Sequence, residues 1–332
     1  MNTLIEDREV SWKVLDTPVN GTITVPNDTE VHPAVIFTAG SGPTDRNWCS
    51  PLLSGTNGSA KLLAERLASQ GFLTLRYDKL ASSPYVKANL AKYAGKISMQ
   101  MHLDELKGAV ETILAEKNID NDNIFVLGNS EGTIHAVNYQ LQAQKNRFKA
   151  LVLTGAPGRA VGDVARNQIF NQVKSLPNAE IMMKLYDDAI GEFLVNKPIV
   201  MDPSLPEGIK QLLHSLESPY GLPFARELWT YSLSEHIAKV NEPMLVMIGK
   251  KDIQVDWKID GKALENATVQ KTTISYAYPE NANHLLKHEG MSIEKLTAQY
   301  VGLHYNAAEA ELDKEAVDTI SNWLSNITIP SN

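Results

Sequence analysis

Short apolar runs alternate with amphipathic stretches along most of this chain, and that alternation constrains the fold more than any other feature. The runs are PAVIFT (33–38), FLTLRYD (72–78), NIFVLG (123–128), KALVLTGAP (149–157), PMLVMIG (243–249) and TTISYA (272–277). Brief, continuously apolar segments read as strands buried on both faces of a parallel sheet. Between them, SAKLLAERLASQG (59–71) carries Leu62, Leu63 and Leu67 at helical spacing and ends on Gly71, a helix stop. MQMHLDELKGAVETILAEK (99–117) reads as a long amphipathic helix. Such alternation implies an α/β fold, a mostly parallel sheet with helices on both faces. The opening differs: EVSWKVL and TITV flank Asn20-Gly21, which predicts two antiparallel strands turning at that dipeptide.

The alternation lapses over residues 158–240. Helical stretches such as NAEIMMKLYDDAIGEFL are broken there by Pro198, Pro203, Pro206, Pro219 and Pro223, with no strong strand signal. Because the strand pattern then resumes, the segment is expected to be a helical cap inserted after the sixth strand and laid over the carboxyl edge of the sheet. The expected organisation is a first core part at 1–157, the cap at 158–240 and a second core part at 241–332.

At VLGNSEGTIHAV (126–137) a small polar turn interrupts an apolar run and leads into a proline-free stretch. Strand, sharp turn and helix are the context in which G-x-S-x-G forms a nucleophile elbow. Gly128 and Gly132 let strand and helix approach, and Ser130 stands at the tip. A serine hydroxyl needs a base, and the base needs an orienting group. On this architecture they follow in the order serine, acid, histidine. Asp252 comes just past the run 243–249, and His284 lies in the loop after the run 272–277. Asp256 is the alternative acid. His288 reads as a solvated helix residue, His135, five residues after Ser130 on the elbow helix, points elsewhere, and His32, His102, His214, His236 and His304 read as structural. An oxyanion needs preorganised donors. The backbone N–H of Glu131 is one, and the glycine-rich loop after 33–38 supplies the other, from Ser41 or alternatively Gly42.

Composition excludes other classes. The net charge of −8 and the lack of a basic tract argue against nucleic acid as a partner. Cys49 is the only cysteine, so neither an internal disulfide nor a cysteine zinc cluster can form. The N-terminal MNTLIEDREVSWKV lacks the apolar region of a secretory signal, and no stretch is long and apolar enough for a membrane span. A cytoplasmic protein with no cofactor, no metal and no membrane partner is expected. The loop around GSG (40–42) lacks the third glycine and the acid of a dinucleotide site.

Several motifs together resemble the α/β-hydrolases, and within them the bacterial carboxylesterases of the serine aminopeptidase-like group. GSGPTDRN (40–47) resembles that group's oxyanion loop, LRYDK (75–79) its R-Y-D-K segment and GNSEG (128–132) its G-H-S-E-G elbow. GKKDIQV (249–255) resembles its acid loop and NANHLLK (281–287) its histidine segment. The resemblance covers nearly the whole chain and implies an α/β-hydrolase fold with a triad at Ser130, Asp252 and His284. Asn129 stands where the group has histidine, and Leu80 and Ala81 replace a charged residue and a glycine. Trp48 and Cys49 follow the oxyanion loop, where they are expected to narrow the entrance. Asp45, Arg46 and Asp78 read as structural ion-pair groups.

The leading expectation is hydrolysis of a small carboxylic ester of short acyl chain through an acyl-enzyme. Trp48, Met183, Tyr186 and Trp229 are the candidate substrate-lining residues. Phe170, Met182, Phe193, Phe224 and Tyr231 are further apolar residues of the insert, and the competing role for most of the insert's set is its own core. Amide or peptide hydrolysis on the same triad is the alternative, with Glu180, Glu192 or Glu227 as anchors for an amine. A non-catalytic ligand-binding protein would be expected to lose a triad member, and all three are present. Haloalkane dehalogenase and epoxide hydrolase chemistry need an aspartate where Ser130 stands.

Overall fold

The computed structural model describes residues 4–82 and 85–328. Its strands are β1 (Ile5–Val14), β2 (Thr17–Pro26), β3 (His32–Thr38), β4 (Leu73–Tyr77), β5 (Ile119–Asn129), β6 (Ala150–Thr154), β7 (Met244–Met247) and β8 (Ile274–Ala277). They form one eight-stranded sheet in the order β1-β2-β4-β3-β5-β6-β7-β8. β1 pairs antiparallel with β2, and β2 antiparallel with β4; every later pairing is parallel. The strands β3, β4 and β6 are buried along almost their whole length, as strands covered on both faces must be.

The helices are α1 (Ser59–Ala68), α2 (Val86–Tyr93), α3 (Met99–Leu114), α4 (Glu131–Gln142), α5 (Val161–Val173), α6 (Ala179–Leu194), α7 (Glu207–Glu217), α8 (Phe224–Trp229), α9 (Leu233–Ile237), α10 (Lys262–Ala267), α11 (Ala298–His304) and α12 (Lys314–Thr328). None of the described helices is long and apolar enough to cross a membrane.

The predicted turn at Asn20-Gly21 is misplaced. Both residues lie inside β2, and the β1–β2 hairpin turns at Leu15 and Asp16, each with positive φ (45° and 61°). A two-residue hairpin loop with both central residues at positive φ matches the right-handed strand twist. Gly21 serves close packing instead: a Cβ there would sit 2.9 Å from the Arg76 carbonyl oxygen.

The chain divides into two compact units. One holds residues 1–86, 102–158 and 233–332, and contains the whole sheet; the other holds 87–101 and 159–232. Two segments fall differently from the organisation expected from sequence. Residues 87–101 join the second unit because Gly95 N–H donates to Pro219 O, Phe224 N–H to Ile97 O and Met99 N–H to a Glu227 carboxylate oxygen. Residues 233–240 join the sheet unit because α9 packs on α4 and α10.

Each unit has its own core. In the sheet unit, Val35, Phe37, Leu63, Leu67, Phe125, Leu127, Val152 and Leu245 form one buried cluster with Ile320 and Leu324 of α12. In the second unit, Val173, Met183, Tyr186, Phe193, Leu213 and Trp229 pack together. β3 is flanked by β4 on one side and β5 on the other, so the strand order reverses between β3 and β5. In open α/β sheets, ligands bind beyond the carboxyl ends of strands at such a switch point.

Candidate active site

Ser130 stands directly between β5 and α4, at the switch point. Its φ of 55° and ψ of −122° lie outside the regions ordinary residues favour. A serine is held there because the surroundings over-determine the turn. Its N–H donates to Thr154 O at 2.9 Å. The flanking glycines permit the close approach: a Cβ on Gly128 would lie 2.6 Å from Gly132 O, and one on Gly132 would lie 2.3 Å from Thr38 O. The Thr38 hydroxyl donates to Gly132 O at 2.9 Å, tying the end of β3 to the first turn of α4.

The acid and the histidine meet in the same unit. Asp252, which follows β7, is buried, and its Oδ2 lies 2.7 Å from His284 Nδ1. Its Oδ1 accepts the N–H groups of Gln254 (2.7 Å) and Val255 (3.0 Å). One oxygen therefore fixes the carboxylate, and the other orients the ring. The histidine loop is shaped by Asn283, whose Oδ1 accepts from Leu285 N–H and Lys287 N–H, each at 3.0 Å. Asn129 joins this loop to the serine turn: its Nδ2 donates to His284 O at 3.0 Å and lies 3.2 Å from the Thr154 hydroxyl. The histidine-to-asparagine departure next to Ser130 thus carries a strap that the sequence did not announce.

The alternative acid, Asp256, is committed elsewhere. Its carboxylate accepts the N–H groups of Lys258 and Ile259, capping the π-helical turn Trp257–Gly261. His288 is half exposed and pairs with Asp313 at 3.1 Å. His32 contacts Gly71 O and Asp28, and His304 contacts Tyr300 O.

The loop after β3 runs against the serine turn. A Cβ on Gly40 would lie 3.3 Å from Ser130 Cβ, so Ser41 and Gly42 follow immediately beyond the contact. The loop is anchored by its ion pairs. Arg46 donates from its backbone N–H to Asp78 Oδ1 (2.8 Å) and from Nε to Asp78 Oδ2 (2.9 Å), and reaches Glu9 at 2.7 Å. Asp45 Oδ1 accepts the N–H groups of Asn47 and Cys49. Burial raises the pKa of both Asp45 and Asp78 against these stabilising contacts.

Behind the turn lies a buried ionic cluster. Lys79 and Glu131 are each 4% exposed. Lys79 Nζ lies 3.1 Å from Glu131 Oε1 and donates to Gly40 O at 2.6 Å. His135 Nε2 lies 3.1 Å from the same Glu131 oxygen. His102 Nδ1 lies 2.8 Å from Glu105 Oε2, while Glu105 Oε1 accepts Leu80 N–H at 2.6 Å. Burial opposes charge on Glu131, but Lys79 and His135 outweigh it and hold its carboxyl far below the usual carboxylate range. Burial, with the neighbouring His102, pushes His135 down to about 4. Ligand atoms of His102, Glu131 and His135 lie within 4.8 Å of one another, the one such metal-compatible group among the described residues. The Lys79 ammonium already supplies the cation at that carboxylate. Lys79 and Asn129 had no role in the sequence reading. The signal for Lys79 was its place just past a buried strand, where an ammonium needs a buried anion.

The structure places the candidate substrate-lining residues inside the cores of the two units. Trp48 is 2% exposed and packs on Phe37 with ring centroids 5.9 Å apart, inside the sheet unit's core. Buried in a cluster with Phe37 of β3 and Leu63 of α1, it gives the expected entrance role no support. Met183, Tyr186, Phe193 and Trp229 are buried in the second unit's own core, and Met182 packs half-buried against it. Trp229 lies edge-on to Phe193 and close over Gly162. Phe170 is 43% exposed. Of the three acids considered as amine anchors, Glu227 accepts Met99 N–H and Glu192 pairs with Lys197 at 3.4 Å. A cavity of about 560 Å³ in the sheet unit is lined by Asn283, Lys287, His288, Tyr300 and Tyr305 among others, but by neither Ser130 nor Asp252.

The fold is that of the α/β-hydrolases. Among solved structures, the proline iminopeptidase of Mycobacterium smegmatis superposes with a TM-score of 0.56 at 14% identity, over 96% of this chain and 98% of that one. The chain is 24% identical over 319 residues to esterase EstD of Thermotoga maritima, spanning 95% of this chain and 68% of EstD. It is 29% identical over 241 residues to the proline iminopeptidase of Flavobacterium johnsoniae, spanning 65% of this chain and 75% of that protein. No family model matches the chain. It is thus a distant relative of an esterase and of a peptidase on this fold.

Proposed function

We propose that the chain is a serine hydrolase of carboxylic esters, of the serine aminopeptidase-like carboxylesterase kind, acting in the cytoplasm. Ser130 attacks the ester carbonyl. His284 takes the serine proton, gives it to the leaving alcohol and then activates water, while Asp252 holds the ring with its proton on Nδ1. The N–H groups of Glu131 and Ser41 receive the oxyanion. The carrying observation is the buried Asp252–His284 hydrogen bond at 2.7 Å, on a loop strapped by Asn129 to the strained serine turn. The distant likeness to EstD supports the ester.

Short acyl groups are the preferred substrates in this reading. Trp48 gives that preference no support, since it is buried in the core. The net charge of −8 supports it, because it opposes docking on anionic lipid surfaces. The likeness to a proline iminopeptidase favours a second reading, hydrolysis of an N-terminal aminoacyl amide by the same three residues. A panel of p-nitrophenyl acetate, butyrate, octanoate and palmitate beside aminoacyl p-nitroanilides separates the two. The proposal expects acetate or butyrate to give the highest kcat/KM, and activity to vanish in Ser130→Ala. A best substrate among the anilides would establish the peptidase reading. Octanoate or palmitate as the best ester would overturn the short-acyl preference.

A further inference from the structure

The buried cluster behind the serine turn contains a lysine that the proposed chemistry does not use. Burying an ammonium is costly, and a methionine would fill the same space without that cost. Lys79 is nevertheless buried, with two partners on separate segments: Gly40 O at 2.6 Å and Glu131 Oε1 at 3.1 Å. Those segments carry the two proposed oxyanion donors. Glu131 supplies its own N–H. The Gly40 carbonyl belongs to the same peptide unit as the Ser41 N–H, and in a planar trans peptide the two point in opposite directions. Fixing where the Gly40 oxygen points therefore fixes where the Ser41 N–H points. Glycine makes that peptide easy to turn, so a lock is needed there.

We propose that Lys79 is a positioning residue that locks both halves of the oxyanion hole, through the Gly40 carbonyl on one side and the Glu131 carboxylate on the other. The inference rests on the reading of Ser130 as nucleophile. The rest of the cluster serves the lock. His135 Nε2 also meets the Glu131 oxygen that Lys79 contacts, and Glu105 accepts Leu80 N–H, fixing the backbone beside Lys79. Arg46 and Asp78 clamp the same loop from its far end, so Lys79 is left to set the orientation at Gly40.

The test uses the full chain. Lys79→Met alone leaves the Glu131 charge buried without its cation and can fail to fold. Lys79→Met/Glu131→Gln removes both charges and keeps the size of both side chains. Each variant is compared with wild type on the best ester, with active sites titrated by a fluorophosphonate. Affinity is measured for a trifluoromethyl ketone, whose tetrahedral adduct places an oxyanion in the hole. The double variant should lose on the order of 10²-fold in kcat per active site, as when a single oxyanion donor is lost or misplaced. Its KM should stay within about threefold, and its ketone affinity should fall in parallel with kcat/KM. A purely structural role would lower the melting temperature and the number of active sites while leaving kcat per site and ketone affinity unchanged. A folded double variant with those two quantities at wild-type values overturns the proposal. Ser130→Ala run in parallel separates the layers. If it is inactive while the double variant matches wild type, only the lock fails. If it keeps wild-type activity, or wild type neither turns over ester nor captures the ketone, the nucleophile reading fails and the lock with it.

Discussion

Replacing Asp252 with asparagine changes one oxygen to an amide nitrogen and should nearly abolish turnover while sparing the fold. The magnitude follows from how the carboxylate is held. Oδ1 accepts two backbone N–H groups, from Gln254 and Val255, and Oδ2 faces His284 Nδ1 at 2.7 Å. Asparagine has one acceptor oxygen. Turned so that its NH₂ meets the two backbone donors, it would leave buried donors unsatisfied at a cost of about 1–3 kcal/mol each. The favoured orientation keeps the oxygen on the backbone pair and presents NH₂ to Nδ1. His284 must then accept at Nδ1 and carry its proton on Nε2, the wrong tautomer for a general base. The same change in a serine-protease triad costs about 10⁴-fold, or roughly 5 kcal/mol of transition-state stabilisation. The assay is kcat/KM for p-nitrophenyl acetate with circular dichroism melting as the fold control. Asp256→Asn is the comparison. Asparagine caps a helical turn about as well as aspartate, so that variant should stay within about threefold of wild type. An active Asp252→Asn beside an inactive Asp256→Asn would refute the assignment of the orienting acid.

Three further outcomes follow from the packing. Gly132→Ala places a Cβ 2.3 Å from Thr38 O, backbone that cannot swing aside, so thermal unfolding should show a loss of about 1–3 kcal/mol or more, with activity falling as the elbow shifts. Acid should destabilise the protein: His135 titrates near 4 when folded and at its ordinary, higher value when unfolded. Its contribution is fully present above about pH 6.5 and is lost as pH falls toward 4, on the order of 3 kcal/mol, with Glu131 adding in the same direction below the usual carboxylate range. Melting temperatures that stay level from neutrality to pH 4 would contradict this. Cys49 is buried, and burial pushes its thiol up to about 12, so Ellman's reagent should react with it only after denaturation.

Which parts of this molecule were legible in the sequence depended on whether they are set locally. The parallel strands were readable because each is a short apolar run, and the serine turn because its glycines and strand–helix context are contiguous. The β1–β2 turn was misread because pairing with β1 and β4 places Asn20-Gly21 within the sheet, while the actual turn, Leu15-Asp16, takes positive φ without the glycine that usually marks one. Trp48 follows the oxyanion loop in sequence, yet it is buried in the cluster that residues of α1 and β3 share. Residues 87–101 fall within the first core part by position along the chain, yet hydrogen bonds to 219–227 draw them into the second unit. The distinction between Asp252 and Asp256 was partly readable, since an aspartate immediately ahead of a helical turn is a capping signal. The Lys79–Glu131 pair spans 52 positions, and the Asn129 strap to His284 spans 155, so no local pattern could disclose either.

The central claim is that Ser130 is the nucleophile, and covalent labelling tests it most directly. Wild-type protein treated with a fluorophosphonate should gain the mass of a single adduct, and peptide mapping should place it on the Ser130 peptide. Label on another serine, or none on a preparation that hydrolyses the esters, would contradict the account.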